Sequence, residues 1–437
     1  MVANVAETEL WGGVECTINR VGNRYFNQLE SSGHRRRGCA DLARFAALGL
    51  RALRFPVLWE SVAPNNLAEF DWSWTDQLLE HLNQLGIRPI VGLLHHGSGP
   101  RYTHLLDPDF PTKFARFAAA VAERYPWVDT YTPVNEPLTT ARFSSLYGHW
   151  YPHARNERAF GTALINQLRA TVLAMREIRA VNPAAQLLQT EDFGRTFSTP
   201  RLQYQADFDN TRRWLTWDLL RGELASARLM RPYFEPLGPG VLNFFLENPC
   251  PPDLIGINYY VTSERYLDEN IDAYPPEYHG GNGRERYADD GAVRARREEL
   301  AGFSGAIAEV WERYRSPIVL SEVHLGCYQQ IEQLRWFKEA WHAANEARSR
   351  GIDIRAVTAW ALLGGFDWDS LVTNWCGNYE PGVFDVSDGE PYPTRLAGLI
   401  AKLALSEAVD DAKIDQPGWW KQPSRLRFPA REELLVW

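Results

Sequence analysis

Eight short runs rich in apolar and β-branched residues recur along the 437-residue chain, separated by stretches of helical periodicity. Alternation of this kind argues for βα units and a parallel sheet. The runs fall near 9–15, 51–57, 87–94, 128–135, 186–192, 253–260, 317–322 and 355–362. Between them, Asp41-Leu-Ala-Arg-Phe-Ala-Ala-Leu carries apolar residues at helical spacing and stops at Gly49, and Thr75 to Leu85 stops in the same way at Gly86. Pro111 to Tyr125 opens with a proline in the first turn and stops before Pro126. Residues 157–180 and 329–350 read as longer amphipathic helices. Eight strands alternating with helices predict a (β/α)8 barrel. An open doubly wound sheet would alternate as well, but no G-x-G-x-x-G follows the first run. Barrels of this kind run long as single domains, so residues 1–406 are expected to form one barrel and 407–437 an appended tail. The polar stretch 262–300 follows the sixth run and is expected to be a long loop at the barrel mouth.

Two of the runs end in a glutamate: Thr-Pro-Val-Asn-Glu-Pro at 132–137 and Ile-Val-Leu-Ser-Glu at 318–322. In a barrel of parallel strands, the C-terminal strand ends are where reactive side chains emerge. Two carboxyls delivered to one mouth are the minimal equipment for cleaving a glycosidic bond. Glu136 suits the general acid, which must hold its proton near neutral pH through burial and a neighbouring negative charge. Asn135 beside it suits a donor to a sugar hydroxyl. A loop Asn, a helix-start Glu and a Pro at the first helical position is the bland alternative for this motif. Glu322 suits a nucleophile that stays ionised, with Arg54 on the second strand supplying positive charge and Tyr260 a hydrogen bond. For Arg54 the bland alternative is a surface arginine at a strand end.

Composition narrows the function. A net charge of −9 gives no nucleic-acid footprint. The chain has 17 Trp, 18 Tyr and 20 Phe, which permits sugar stacking as well as core packing. Cys16, Cys39, Cys250, Cys327 and Cys376 are an odd, sparse set without a C-x-x-C pair and read as reduced thiols, so a cytoplasmic protein is expected. The first nine residues show no signal-peptide pattern, and no run approaches a membrane span. His95-His96 invites a metal, but neighbours on a strand point to opposite faces, so no metal and no organic cofactor are expected. Trp72 and Trp74 read as packing residues, and Tyr147, Trp150 and Tyr151 as lining the entrance or packing. Glu15 within the first run needs a buried partner, for which an arginine on a neighbouring strand is a candidate.

At these residues the chain resembles the glycoside hydrolase family 1 β-glycosidases, retaining enzymes with a (β/α)8 barrel, over about Leu10 to Leu405. Leu10-Trp-Gly-Gly-Val-Glu-Cys-Thr-Ile-Asn19 resembles the family's first strand, with Asn19 at a sugar-binding Gln position. Arg54-Phe-Pro-Val-Leu-Trp59 resembles the second-strand motif, and Gly86-Ile-Arg-Pro-Ile-Val-Gly-Leu-Leu-His-His96 the third. There His95 matches the sugar-binding His, and His96 stands where a Trp is usual. Asn135-Glu136-Pro137 matches the acid/base motif. Ile255-Gly-Ile-Asn-Tyr-Tyr260 matches the sixth strand, which implies that Asn258 and Tyr260 support the nucleophile. Trp360-Ala-Leu-Leu-Gly-Gly-Phe-Asp-Trp368 matches the eighth-strand spacing, which implies sugar contacts from Trp360, Asp367 and Trp368.

The departures concern the sugar. The usual Thr-Glu-Asn-Gly is Ser321-Glu322-Val-His-Leu-Gly, the usual eighth-strand Glu is Asp367, and Gln has become Asn19. Each of the last two changes shortens a polar arm by one methylene, shifting hydrogen bonds by more than ~1 Å, a displacement that can cost ~10²-fold in rate. The Ser-x-x-x-x-Lys-x-Tyr signature of phospho-sugar enzymes is absent around Asp369-Ser370, which disfavours a 6-phosphate. The expected function is a retaining β-glycosidase acting on a small glycoside, with its carboxyls ~5–5.5 Å apart. A transglycosidase with the same residues, a catalytically weak sugar-binding barrel and a metal-dependent hydrolase remain as alternatives.

Overall fold

A computed structural model describes residues 8–407, 409 and 411–428. The signal-peptide expectation rests almost wholly on residues outside this range, as does the end of the tail. Among the described residues, eight parallel strands close into a barrel in which each strand neighbours the next in sequence and the eighth returns to the first. They are β1 (Glu9–Gly13), β2 (Ala52–Pro56), β3 (Arg88–His95), β4 (Thr130–Asn135), β5 (Gln186–Asp192), β6 (Leu254–Tyr259), β7 (Ile318–Val323) and β8 (Ile354–Ala359). The outer layer includes α1 (Cys39–Ala46), α2 (Ser73–Gln84), α3 (Phe110–Arg124), α4 (Glu157–Val181), α5 (Leu215–Leu220), α6 (Gly302–Tyr314), α7 (Gln330–Ser349) and α8 (Arg395–Ala404). The strands are buried on both faces, as parallel barrel strands must be, which is why they read as apolar runs rather than alternating ones.

The bore is layered. Trp11, Ala52, Ile90, Leu188, Val319 and Ala356 form an apolar cluster of their own near the strand starts. Two residues further along the same strands come Gly13, Arg54, Gly92, Thr190, Ser321 and Thr358, and period two keeps them on the same face. A layer of glycines and hydroxyls around one arginine leaves room for polar groups to converge above the floor. Gly256 on β6 belongs to it: a Cβ there would meet Thr190 Cγ2 at 2.6 Å and Ser321 Oγ at 2.7 Å.

One region differs from the expectation. Residues 262–300 are not a plain loop. Arg265–Asp268, His279–Gly281 and Arg286–Gly291 join Thr196–Ser198, from the connection after β5, in a four-stranded sheet. Its polar sequence hides strands because the sheet has only small apolar clusters, around Leu202, Leu267 and Tyr287 and around Tyr274, Ala288 and Ala295. The tail, where described, lies against the barrel. Trp420 meets the Trp336 ring edge-on at 4.9 Å and donates its indole N–H to Glu339 on α7 at 3.0 Å. The Arg425 guanidinium donates to the carbonyls of Val293 (2.9 Å) and Glu298 (3.0 Å). No described helix is long and apolar enough to cross a membrane.

The tight bore gives a direct test. Gly256→Ala pushes a methyl into Thr190 and Ser321, both on strands fixed by their neighbours. It should lose about 1–3 kcal/mol in urea unfolding. An unchanged midpoint would show that the layer is not close-packed.

Candidate active site

The carboxylates arrive at one mouth from β4 and β7, and backbone irregularity aims both. Glu136 follows β4 in the left-handed region, with φ 46° and ψ 61°. A non-glycine residue there costs of order 1–3 kcal/mol and persists only when its surroundings hold it. Pro137 then opens the short helix Pro137–Ala141. Glu322 sits at a register shift in which β7 slips against both β6 and β8 between Leu320 and Val323. A bulge of this kind re-aims a side chain at the rim of a barrel.

Arg54 holds the centre. Its Nη1 donates to Glu322 Oε1 at 2.6 Å and to the Ser321 carbonyl at 2.9 Å, and its Nη2 donates to Asn135 Oδ1 at 2.6 Å. Its guanidinium carbon lies 4.7 Å from the centre of the Trp360 ring. The Tyr260 hydroxyl donates to the other oxygen of Glu322. Asn258 differs from the expectation: its amide donates to Glu136 Oε1 at 2.6 Å rather than to Glu322, while its Oδ1 accepts from Ser321 Oγ at 2.6 Å. The strand register pairs Glu322 with Asn258, yet it is the Ser321 hydroxyl that meets the Asn258 side chain.

The two glutamates therefore have different surroundings. Glu136 is pushed well above the usual carboxyl range by burial first, then by the charges of Glu322 and Asp192, against one amide donor from Asn258. Glu322 is also raised by burial, but the Arg54 charge and the Tyr260 and Arg54 hydrogen bonds oppose that rise. Burial thus overrides the expected downward shift, and what Arg54 and Tyr260 achieve is to hold Glu322 more acidic than burial alone would leave it.

The other candidate residues surround this pair. His95 stacks on Trp360 with ring centres 5.5 Å apart, and its Nε2 lies 3.2 Å from the Asn135 amide nitrogen. Asn135 Oδ1 also accepts from Thr190 at 2.7 Å. The two adjacent histidines do not face opposite ways: β3 ends at His95, His96 turns to φ 55°, and the rings meet edge-on at 4.9 Å. Both are held neutral by burial and the Arg54 charge, His96 at about 3. His96 Nε2 lies 3.9 Å from Glu136 Oε2, and its other nitrogen meets Thr140 at 3.0 Å. Trp368 packs edge-on to His96 at 5.7 Å, and its indole nitrogen is buried without a partner.

The segment after β8 takes up two of the expected sugar contacts. Asn19, in the hairpin Ile18–Asn27 rather than on β1, donates its amide to the Val372 carbonyl at 3.1 Å. Asp367 Oδ1 accepts the backbone N–H groups of Cys376 (3.1 Å) and Asn378 (2.9 Å). Trp150 is buried and donates to the Leu371 carbonyl at 2.7 Å, so it packs against this segment. Among the described residues Glu15 has no arginine partner; it accepts the Thr17 N–H at 2.9 Å and is raised to about 7, chiefly by burial. Asp192, at the end of β5, joins the site without having been expected there. The signal that could have found it is the one that marks Glu136 and Glu322, a carboxylate closing an apolar run.

Comparison with known proteins agrees with this architecture. The profile described as glycosyl hydrolase family 1 matches residues 23–213. β-Glucosidase 47 from Arabidopsis thaliana is 23% identical over 385 residues, covering 79% of this chain and 71% of the relative. A 6-phospho-β-glucosidase from Dickeya chrysanthemi is 24% identical over 368 residues, 74% of each. The family 1 β-glucosidase from Thermotoga maritima superposes with a TM-score of 0.74 at 16% identity, over 93% of this chain and 99% of that one. The same enzyme in complex with deoxynojirimycin gives 0.73 at 15% identity over 93% and 99%. Barrel, profile and relatives together define a glycoside hydrolase. Together they support a divergent member of glycosyl hydrolase family 1.

The site predicts a pH signature. Tyr260 donates only to ionised Glu322, so removing the hydroxyl raises the pKa of Glu322. In Tyr260→Phe the acidic limb of the kcat/KM profile should move to higher pH, and further than the basic limb. An acidic limb that stays in place would place the ionising group elsewhere.

Proposed function

We propose that the barrel, residues 1–406, is a retaining β-glycosidase that removes a terminal β-linked sugar from a small glycoside through a covalent glycosyl-enzyme intermediate. The observation that carries this reading is the unequal treatment of two buried glutamates at one mouth. Glu322 is hydrogen-bonded by a cation and a phenol, while Glu136 is surrounded by burial and other acids. Environments that separate two carboxyls in this way assign the acid and the nucleophile.

In the first step Glu322 attacks the anomeric carbon as the bond from that carbon to the leaving oxygen breaks. Glu136 gives its proton to that oxygen. In the second, water attacks the anomeric carbon, Glu136 takes the water proton, and Glu322 leaves as a carboxylate. Once Glu322 is esterified, its negative charge no longer raises the pKa of Glu136, so Glu136 becomes the stronger acid, and its ionised form is the base the second step needs. Arg54 and Tyr260 stabilise the carboxylate that enters and leaves the cycle, and neutral His95 faces the sugar as a hydrogen-bonding group rather than a charge. Arg54, Tyr260, Glu136 and Glu322 are the proposed chemical core. Asn19, His95, Asn135, Asn258, Trp360, Asp367 and Trp368 form the proposed glycone wall, in which Asn19 and Asp367 exchange their bonds to the 367–378 segment for sugar hydroxyls. That segment contains no lysine or arginine, which favours an unphosphorylated sugar. The five free cysteines favour a reducing, cytoplasmic setting.

The test is covalent trapping. Incubation with 2-deoxy-2-fluoro-β-glycosyl fluorides of gluco, galacto and fuco configuration, then peptide mapping, should add one glycosyl group to the Glu322 peptide. An adduct on another peptide would overturn the assignment. Glu136→Ala should slow glycosides with poor leaving groups about 10²–10⁴-fold and activated aryl glycosides far less. Equal losses on both would remove Glu136 from the acid role.

A further inference from the structure

We propose that Arg142 and Tyr147, on the helical turn that follows Glu136, form with Arg212 and Arg265 a leaving-group subsite for an aglycone that carries a carboxylate. The inference rests on the proposed function, because it takes the leaving oxygen to depart at Glu136.

These side chains come from three consecutive mouth connections. Arg142 and Tyr147 flank the wide helical turn Arg142–Leu146, which continues the helix begun at Pro137 directly after Glu136. Arg212 ends the helix Gln203–Arg212 after β5, and Arg265 opens the strand Arg265–Asp268 after β6. Asp192 links the group to the chemistry: its charge acts on Glu136, and the charges of Arg142 and Arg265 act on it.

The three cations are not equally engaged. Arg212 pairs with Asp209 at 2.8 Å and donates to the Tyr233 hydroxyl at 3.1 Å. Arg265 donates to the Asp289 carboxylate at 2.8 Å and to its carbonyl at 2.9 Å. Arg142 forms no ion pair among the described residues. Its guanidinium carbon lies 5.7 Å from the centre of the Tyr147 ring, and its Nε is buried without a hydrogen-bond partner. Asp192, the carboxylate nearest in effect, is raised by burial and takes its hydrogen bond from Ser263, not from Arg142. A buried guanidinium without a carboxylate is an expensive arrangement unless an anion completes it.

Tyr147 reports the sign of the potential. Burial raises other tyrosines, Tyr233, Tyr260 and Tyr287 among them, whereas Tyr147 is lowered although burial opposes it, through the charges of Arg142 and Arg212. The nearby acids Asp192, Asp209 and Asp289 do not cancel that field. A planar carboxylate on the aglycone matches the fork of Arg142.

The experiment compares 4-hydroxybenzoate with the neutral 4-hydroxybenzamide as ligands of the intact protein by calorimetry. It also compares 4-carboxyphenyl with 4-carbamoylphenyl β-glycosides, in gluco, galacto and fuco forms, as substrates. The native protein should bind the carboxylate about tenfold tighter than the amide, as one charge-assisted hydrogen-bonded pair provides, and the preference should shrink with added salt. Arg142→Met should bring the ratio near one, and Arg142→Lys should keep part of it. A native ratio near one, which needs no variant to measure, overturns the inference while leaving the glycosidase reading intact if the neutral glycosides turn over. A preference that survives Arg142→Met overturns it too. Carboxylate binding without turnover of any glycoside overturns the leaving-group assignment together with the proposed function.

Discussion

The site depends on one buried cation. Arg54 projects into the bore from β2, and a guanidinium in that position must be met by acceptors on every side. Three are supplied from two other strands: Glu322 and the Ser321 carbonyl from β7, and Asn135 from β4. Room for this comes from residues with little or no side chain. A Cβ on Gly13 would lie 2.5 Å from the Trp360 ring over which Arg54 stacks, and Gly256 clears the space that Ser321 and Thr190 fill. The small-residue layer and the ion pair are therefore one feature of the fold.

The same arrangement separates the glutamates. Both strand ends leave regular geometry, Glu136 by a left-handed backbone and Glu322 by a bulge. Glu322 at the bulge meets Arg54 and Tyr260, and the Ser321 hydroxyl beside it donates to Asn258, whose amide reaches Glu136. A chain of hydrogen bonds thus runs from the cation side to the acid side. Low dielectric strengthens every interaction along it and makes each unpaired member costly. The segment 367–378 lies over this floor, and Leu371 and Val372 both take positive φ while their carbonyls hold Trp150 and Asn19. A β-branched residue in that region is strained, which suits the proposed exchange of these bonds for sugar hydroxyls at Asn19 and Asp367.

Much of this architecture is legible in the sequence because it is local. Apolar runs bounded by Gly- and Pro-rich connections mark the strands, and the glutamates after two of them mark the mouth. The observed β5, Gln186–Asp192, coincides with the span read from sequence. What escapes the sequence depends on pairing between distant segments. The sheet joining 196–198 to 265–291 has no strong apolar periodicity of its own. The side-chain partners of Asn258, Glu136 and Ser321, come from other segments, and no residue in β6 announces them. The histidine pair misleads because period two applies only within a strand, and the strand stops at His95. Arg142 is invisible for the opposite reason: a lone arginine after a short helix looks like surface, and only the fold shows its Nε buried without a partner.

In the proposed mechanism, attack by Glu322 with Glu136 serving both steps fixes the stereochemistry of the reaction. The most direct measurement is time-resolved proton NMR of the sugar released from an activated aryl β-glycoside, read before mutarotation scrambles the anomers. The β anomer should appear first and the α anomer only at the mutarotation rate. If the α anomer appears first, water attacks directly, and Glu322, with the Arg54 and Tyr260 contacts that support it, is not the nucleophile.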